Sequence, residues 1–106
     1  GLGALRPDAS LTRAAQAHSA DMARRGVMTH RSADGRRSSD RMRMAGNCRS
    51  ATAENIADNF SSSAAVFQAW MASPGHYKNM MGRKYSRYGL AENNGYWTLT
   101  LAGRCK

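Results

Sequence analysis

The segment YGLAENNGYWTLTLA, residues 88–102, decides the fold class of this chain. Residues 88–92 and 96–102 flank Asn93-Asn94-Gly95, a triplet whose residues tolerate positive φ, and residues 96–102 are rich in aromatic and β-favouring side chains. A β-hairpin is predicted there. Two strands alone are marginal in water, so a further strand is needed to widen the ribbon. Residues 52–57, TAENIA, are the best candidate for it, although so short a stretch is equally readable as irregular.

Upstream of the hairpin the apolar period is helical. Over residues 10–26, Leu11, Ala14, Ala15, His18 and Met22 fall on one face at i, i+3, i+4, i+7 and i+11. Ser10 is the predicted cap, and Arg24, Arg25 and Gly26 form the cationic last turn and its terminating glycine. A second short helix is predicted over residues 39–45, stopping at Gly46, with Met42 and Met44 facing inward. Serines 61–63 are predicted to cap a helix running through Ala72, with Val66, Phe67, Trp70 and Met71 on its buried side and Pro74-Gly75 ending it. Residues 76–81 form one or two further turns closed by Gly82. Helices early and strands late imply an α+β fold with helices packed on a small sheet.

At 106 residues the chain is long enough for one core and too short for two, so residues 1–106 are expected to form a single domain. No internal repeat and no run of 18 apolar residues is present. The first residues carry neither the basic start nor the long apolar stretch of a signal peptide, yet begin abruptly in apolar residues. An upstream segment is expected to have been trimmed. Cys48 and Cys105 stand far apart with no CxxC spacing. A disulfide tying the chain's end to its middle is one reading, worth roughly 4 kcal/mol by loop closure and implying export to an oxidising compartment; two separate buried thiols are the other.

The formal net charge is +9, most of it arginine. Nucleic acid is the first partner such a charge suggests, but the cations are scattered and form no basic helix or aromatic-and-basic motif. Anionic phospholipid, lipopolysaccharide or acidic glycan is the better match for an exported basic protein. The seven methionines are core filler in the first instance, and a lining for a lipid groove in the second.

Three polar residues stand next to element boundaries where the pattern does not require them: His30, Glu54 and His76. If they converge, two imidazoles and a carboxylate can hold a divalent metal such as Zn²⁺ with an open position for water, or act without metal as a base and an acid that orient each other. Taken singly, His30 reads as a loop histidine bonded to backbone, Glu54 as a helix cap or the partner of one of many arginines, and His18 as a core or boundary histidine. No local HExxH spacing fixes two ligands on one helix face.

Four ordered stretches, SADMARRGVMTHRSADG (19–35), AENIAD (53–58), AWMASPGHYKNMM (69–81) and RYGLAENNGYWTLTLAG (87–103), together resemble the CAP superfamily, or SCP domain, in its compact bacterial form. The likeness runs from Leu11 to Ala102. It implies an exported α-β-α sandwich, secreted or periplasmic, with a small antiparallel sheet flanked by helices and a central cleft. By this resemblance His30, Glu54 and His76 are the cleft residues, and His30 and His76 the metal ligands if Zn²⁺ is bound. It also gives His76 a reason to stand at a helix start, since that position projects its ring into the cleft, with Pro74-Gly75 supplying the bend. The helix dipole there disfavours a protonated ring.

Three departures from the family pattern stand out. Ala53 replaces the glycine that usually opens the second motif, Ser73 falls where a second glutamate is found in eukaryotic members, and the helix that normally precedes Gly1 is missing or trimmed. The family shares no single activity. The resemblance therefore implies either a binding module for lipid, sterol or anionic envelope components, or, as the alternative, a divalent-metal-dependent hydrolase acting on peptide or cell-wall material. In the second case Glu54 serves as base or orienter. A purely structural hydrogen-bonded network is the third reading, and nucleic-acid binding the last.

Overall fold

The computed structural model describes residues 5–47 and 51–104. The expected Cys48–Cys105 bridge lies outside them. In chain order the elements are β1 (Arg6–Pro7), α1 (Ala9–Arg25), α2 (Ser38–Met44), β2 (Thr52–Ala57), α3 (Ser63–Met71), α4 (Pro74–Met80), β3 (Arg87–Asn93) and β4 (Tyr96–Ala102). The strands form one sheet in the order β1-β3-β4-β2.

The hairpin turns as its sequence requires. Asn94 and Gly95 both have positive φ, 51° and 85°, which matches the twist of the flanking strands. The Glu92 carboxylate accepts a hydrogen bond from the Gly95 N–H at 2.7 Å, closing the turn. Residues 52–57 are the extra strand, antiparallel to β4 with Glu54 opposite Thr100. The sheet is not purely antiparallel, however, because β1 pairs parallel to β3. Two residues, one of them a proline, carry no strand signal, and their pairing depends entirely on β3 lying beside them.

Alternation along β4 assigns the layers. Trp97, Leu99 and Leu101 point to one face, where they join Val66, Trp70, Met80 and Tyr85 in the larger core cluster under α3 and α4. Ala102 points to the other face with Leu11, Ala14 and Met42, under α1 and α2. Helices therefore cover both faces, as an α-β-α sandwich demands. Thr98 and Thr100 also point toward α1 and are as buried as the leucines between them. Their hydroxyls are used: Ser19 Oγ lies 2.7 Å from Thr98 Oγ1, and Thr100 Oγ1 donates to the Leu11 carbonyl at 2.8 Å. Gly89 of β3 allows this approach, since a Cβ there would overlap the α1 backbone at Leu11 and Thr12.

Several local expectations are corrected. Asp8, not Ser10, caps α1: its carboxylate accepts from the Leu11 N–H at 3.1 Å and from the Ser10 hydroxyl at 2.6 Å. Aspartate two residues earlier starts the helix sooner, takes the orphan Leu11 N–H and leaves serine as its support. Met44 is 62% exposed rather than inward, and Met71 is likewise on the surface. Both helices are short and bury only a narrow stripe, Arg41 with Met42 in α2 and Val66 with Trp70 in α3. Pro74 and Gly75 do not end α3 outside regular structure but form the first turn of α4, where a missing proline N–H costs nothing.

Candidate functional site

Glu54 is carried by β2, the strand at one edge of the sheet, and its side chain turns toward the α1/α2 layer. Only 2% of that side chain is exposed. Three cationic or potentially cationic groups surround it. The Arg41 guanidinium of α2 donates to Oε2 through Nη2. His30 Nδ1 lies 3.0 Å from Oε1, and His18 Nε2 lies 3.9 Å from the same oxygen.

The loop that carries His30 is built by the same arginine. Arg41 Nη1 donates to the His30 carbonyl at 2.8 Å, to Ser32 Oγ at 3.0 Å and to the Arg36 carbonyl at 3.1 Å. Asp21 of α1 accepts at Oδ2 from the Ala33 N–H at 3.2 Å and from Arg25, and at Oδ1 from Arg24. Those hydrogen bonds and charges outweigh its burial and hold the Asp21 carboxyl below the usual carboxylate range. His30 is thus a side chain on a fastened loop, 59% exposed, with its Nδ1 edge on a buried carboxylate. A carboxylate acceptor at Nδ1 places a ring N–H there and leaves Nε2 on the side away from Glu54.

His76 comes from the opposite layer, in the first turn of α4. Asn55, the neighbour of Glu54 on β2 and therefore facing the other way, donates to the His76 carbonyl at 3.3 Å and accepts from Asn79 Nδ2 at 3.0 Å. These bonds hold α4 on the strand. The His76 ring packs near the Trp70 indole, centroids 6.4 Å apart, and its Nδ1 lies 3.0 Å from Ser73 Oγ. Burial, and then the positive charge His30 would carry, push His76 below the ordinary histidine range, so the ring is neutral near pH 7. Beside it opens a cavity of about 220 Å³ walled by Met28, Ile56, Phe60 and Trp70, with Asp58, Ser73 and His76 as polar members of its lining.

Of the three residues the sequence singles out, His30 and Glu54 are in direct contact. Among the described residues no hydrogen bond or ion pair joins His76 to either, although His30 is near enough to act on its pKa. Arg41 is the residue that sequence reasoning missed by name. The large excess of arginine over acid was the available signal, since any buried carboxylate in such a chain is apt to find a guanidinium. His18 is buried as expected of a core histidine, with Nε2 donating to the Thr29 carbonyl at 2.6 Å. Its Nδ1 is a buried nitrogen without a partner among the described residues, and burial lowers its pKa against the pull of Glu54, so the ring is neutral near pH 7 and its approach to Glu54 is not an ion pair.

The donor set tests poorly for a metal. Both Glu54 oxygens already accept from cations or imidazole, and among the described residues no group of three or more His, Cys, Asp or Glu side chains is arranged to hold an ion. The arrangement can orient an imidazole by a buried carboxylate, and can present apolar and hydrogen-bonding surface side by side.

Comparison with known proteins agrees with this architecture. A family model described as cysteine-rich secretory protein family, CAP, matches residues 1–98. The chain is 31% identical to an uncharacterized protein of Bacillus subtilis, YkwD, over 98% of its own length and 41% of that protein's. It is similar to a solved extracellular protein containing a SCP domain from Bacillus anthracis, with a TM-score of 0.90 and 26% identity over 94% of this chain and 34% of the other. An outer surface protein of Borrelia burgdorferi shares the fold at a TM-score of 0.84 and 18% identity, covering 94% of this chain and 77% of that one. The chain thus spans well under half the length of the Bacillus proteins it matches.

Proposed function

This chain belongs to the cysteine-rich secretory protein (CAP) family, and on that premise we propose that it is an exported binding module whose cleft receives the apolar part of an amphipathic envelope ligand, a lipid or sterol. Export is supported by neighbours described as extracellular or outer surface proteins, and no helix among the described residues is long and apolar enough to cross a membrane. The observation that carries the reading is the cavity beside His76, where Met28, Ile56, Phe60 and Trp70 form an apolar wall and the His76 imidazole, the Ser73 hydroxyl and the Asp58 carboxylate make up its polar side. Its volume is below the range of about 300–1,000 Å³ typical of sites that enclose a whole small molecule, so it suits one apolar group of a larger ligand. Met28, Met71 and Tyr77 remain exposed, and the chain's charge of +9 favours an anionic surface.

Co-sedimentation with anionic phospholipid vesicles tests the proposal. Binding is expected at low ionic strength, weaker with added salt, and weaker in Met28→Asp, which replaces part of the apolar wall with a second carboxylate beside Asp58. An absence of binding at low salt would refute it. The hydrolase reading keeps one observation in its favour, the Glu54 carboxylate orienting His30 with Nε2 free to act as a base. Turnover of a peptide or cell-wall substrate that disappears in His30→Ala would establish that reading instead.

A further inference from the structure

We infer that Arg41 closes the His30–Glu54–His76 set to divalent metal, its guanidinium being the resident cation of the Glu54 carboxylate. The inference is independent of which organic ligand the cleft takes. A transition-metal site of this type needs deprotonated donors and a negative or neutral field around them, usually three protein side chains about 2.0–2.2 Å from the ion. Glu54 is the one carboxylate at the centre of the described set; its Oε2 is held by Arg41 and its Oε1 lies on His30 Nδ1, which orients that ring but leaves neither oxygen of Glu54 free to bind an ion.

Displacing Arg41 is not a local change. The Arg41 side chain is 8% exposed, and its guanidinium makes three further hydrogen bonds, to the His30 carbonyl, Ser32 and the Arg36 carbonyl. An incoming ion would strand that buried charge and unfasten the loop that carries His30, one of its own intended ligands. An ion at Glu54 would also sit against a fixed positive charge at close range in a poorly hydrated place, where Coulomb repulsion is strong. What remains for a metal is Nε2 of His30 and Nε2 of His76, with no anionic third donor, and His76 Nδ1 is already beside Ser73. Guanidinium and metal ion are thus alternative counter-charges for one carboxylate, and this chain has the former built in.

Isothermal titration of the full chain with ZnCl₂ provides the test. The wild type is expected to show no saturable binding tighter than about 100 µM, whereas Arg41→Met should gain at least about tenfold in affinity, a gain that His30→Ala in the same background removes. Thermal unfolding of each variant without metal establishes that it is folded. If Arg41→Met does not fold, Arg41→Gln keeps a neutral donor to Glu54 and should show the same direction. Saturable wild-type binding below that limit, abolished by His30→Ala or Glu54→Gln, would overturn the inference, as would a folded Arg41 variant with unchanged zinc affinity. Vesicle binding is read separately, so failure here leaves the lipid proposal standing, and the reverse also holds.

Discussion

Removing the Glu54 carboxylate should cost this domain a large part of its stability, and the cost should depend on whether Arg41 is present. The two side chains are 2% and 8% exposed, so the pair is screened by little water. In Glu54→Ala the guanidinium keeps its three carbonyl and hydroxyl acceptors but loses its counter-charge, and breaking a buried pair from one side costs about 3–5 kcal/mol. At about 4–8 °C per kcal/mol for a domain of this size, the melting temperature should fall by at least ~12 °C. Replacing both partners by apolar residues, as in Glu54→Leu with Arg41→Met, removes the stranded charge and is expected to cost far less than the sum of the single changes. A double-mutant cycle followed by urea unfolding measures this directly, with an expected coupling of about 2–3 kcal/mol. Additivity to within about 0.5 kcal/mol, or a Glu54→Ala cost below about 1 kcal/mol, would mean the pair behaves as an exposed ion pair and would refute the reasoning.

Acidification should destabilise the fold from the neutral side. Burial holds both His18 and His76 below the ordinary value of 6.5, so the unfolded chain takes up protons there that the folded chain refuses. The stability is present above about pH 6.5 and is lost as pH falls below it, with a limiting slope near 1.4 kcal/mol per pH unit for His18, measurable by urea unfolding from pH 7.5 to 5 and reduced in His18→Phe. Gly89→Ala should destabilise by about 1–3 kcal/mol or more, because its Cβ meets α1 backbone rather than a side chain that can move; a neutral effect in thermal unfolding would contradict the observed packing. Asp8→Ala should cost about 1 kcal/mol while Ser10→Ala costs less, since the aspartate makes the cap and the serine only supports it, and the reverse order in a thermal series would restore Ser10 as the cap.

The candidate site was half legible before folding. His30, Glu54 and His76 drew attention because each stood beside an element boundary without a packing reason, and two of them do meet. That His30 lies against Glu54, that His76 approaches from the other helical layer, and that Arg41 binds the loop and the carboxylate together could not be read from spacing. Arg41 stands in a helix among other arginines, and nothing local distinguishes it from exposed Arg43 two residues on.

Local chemistry sufficed for the hairpin and the long first helix. The positive-φ pair Asn94-Gly95 makes a tight hairpin whatever surrounds it, the 3.6-residue stripe of α1 commits that segment to a helix with one buried face, and Gly26 ends it in the left-handed conformation it alone adopts cheaply. Contacts between distant segments decided the remainder. Thr98 and Thr100 look like the wet side of a strand, yet α1 covers them because Gly89 lets its backbone come close enough for their hydroxyls to find partners. Met44 looks like core and is not, because a two-turn helix has room to bury only one such residue. Burial and charge pairing are properties of what lies across a gap in space, and a linear pattern of residues does not contain that distance.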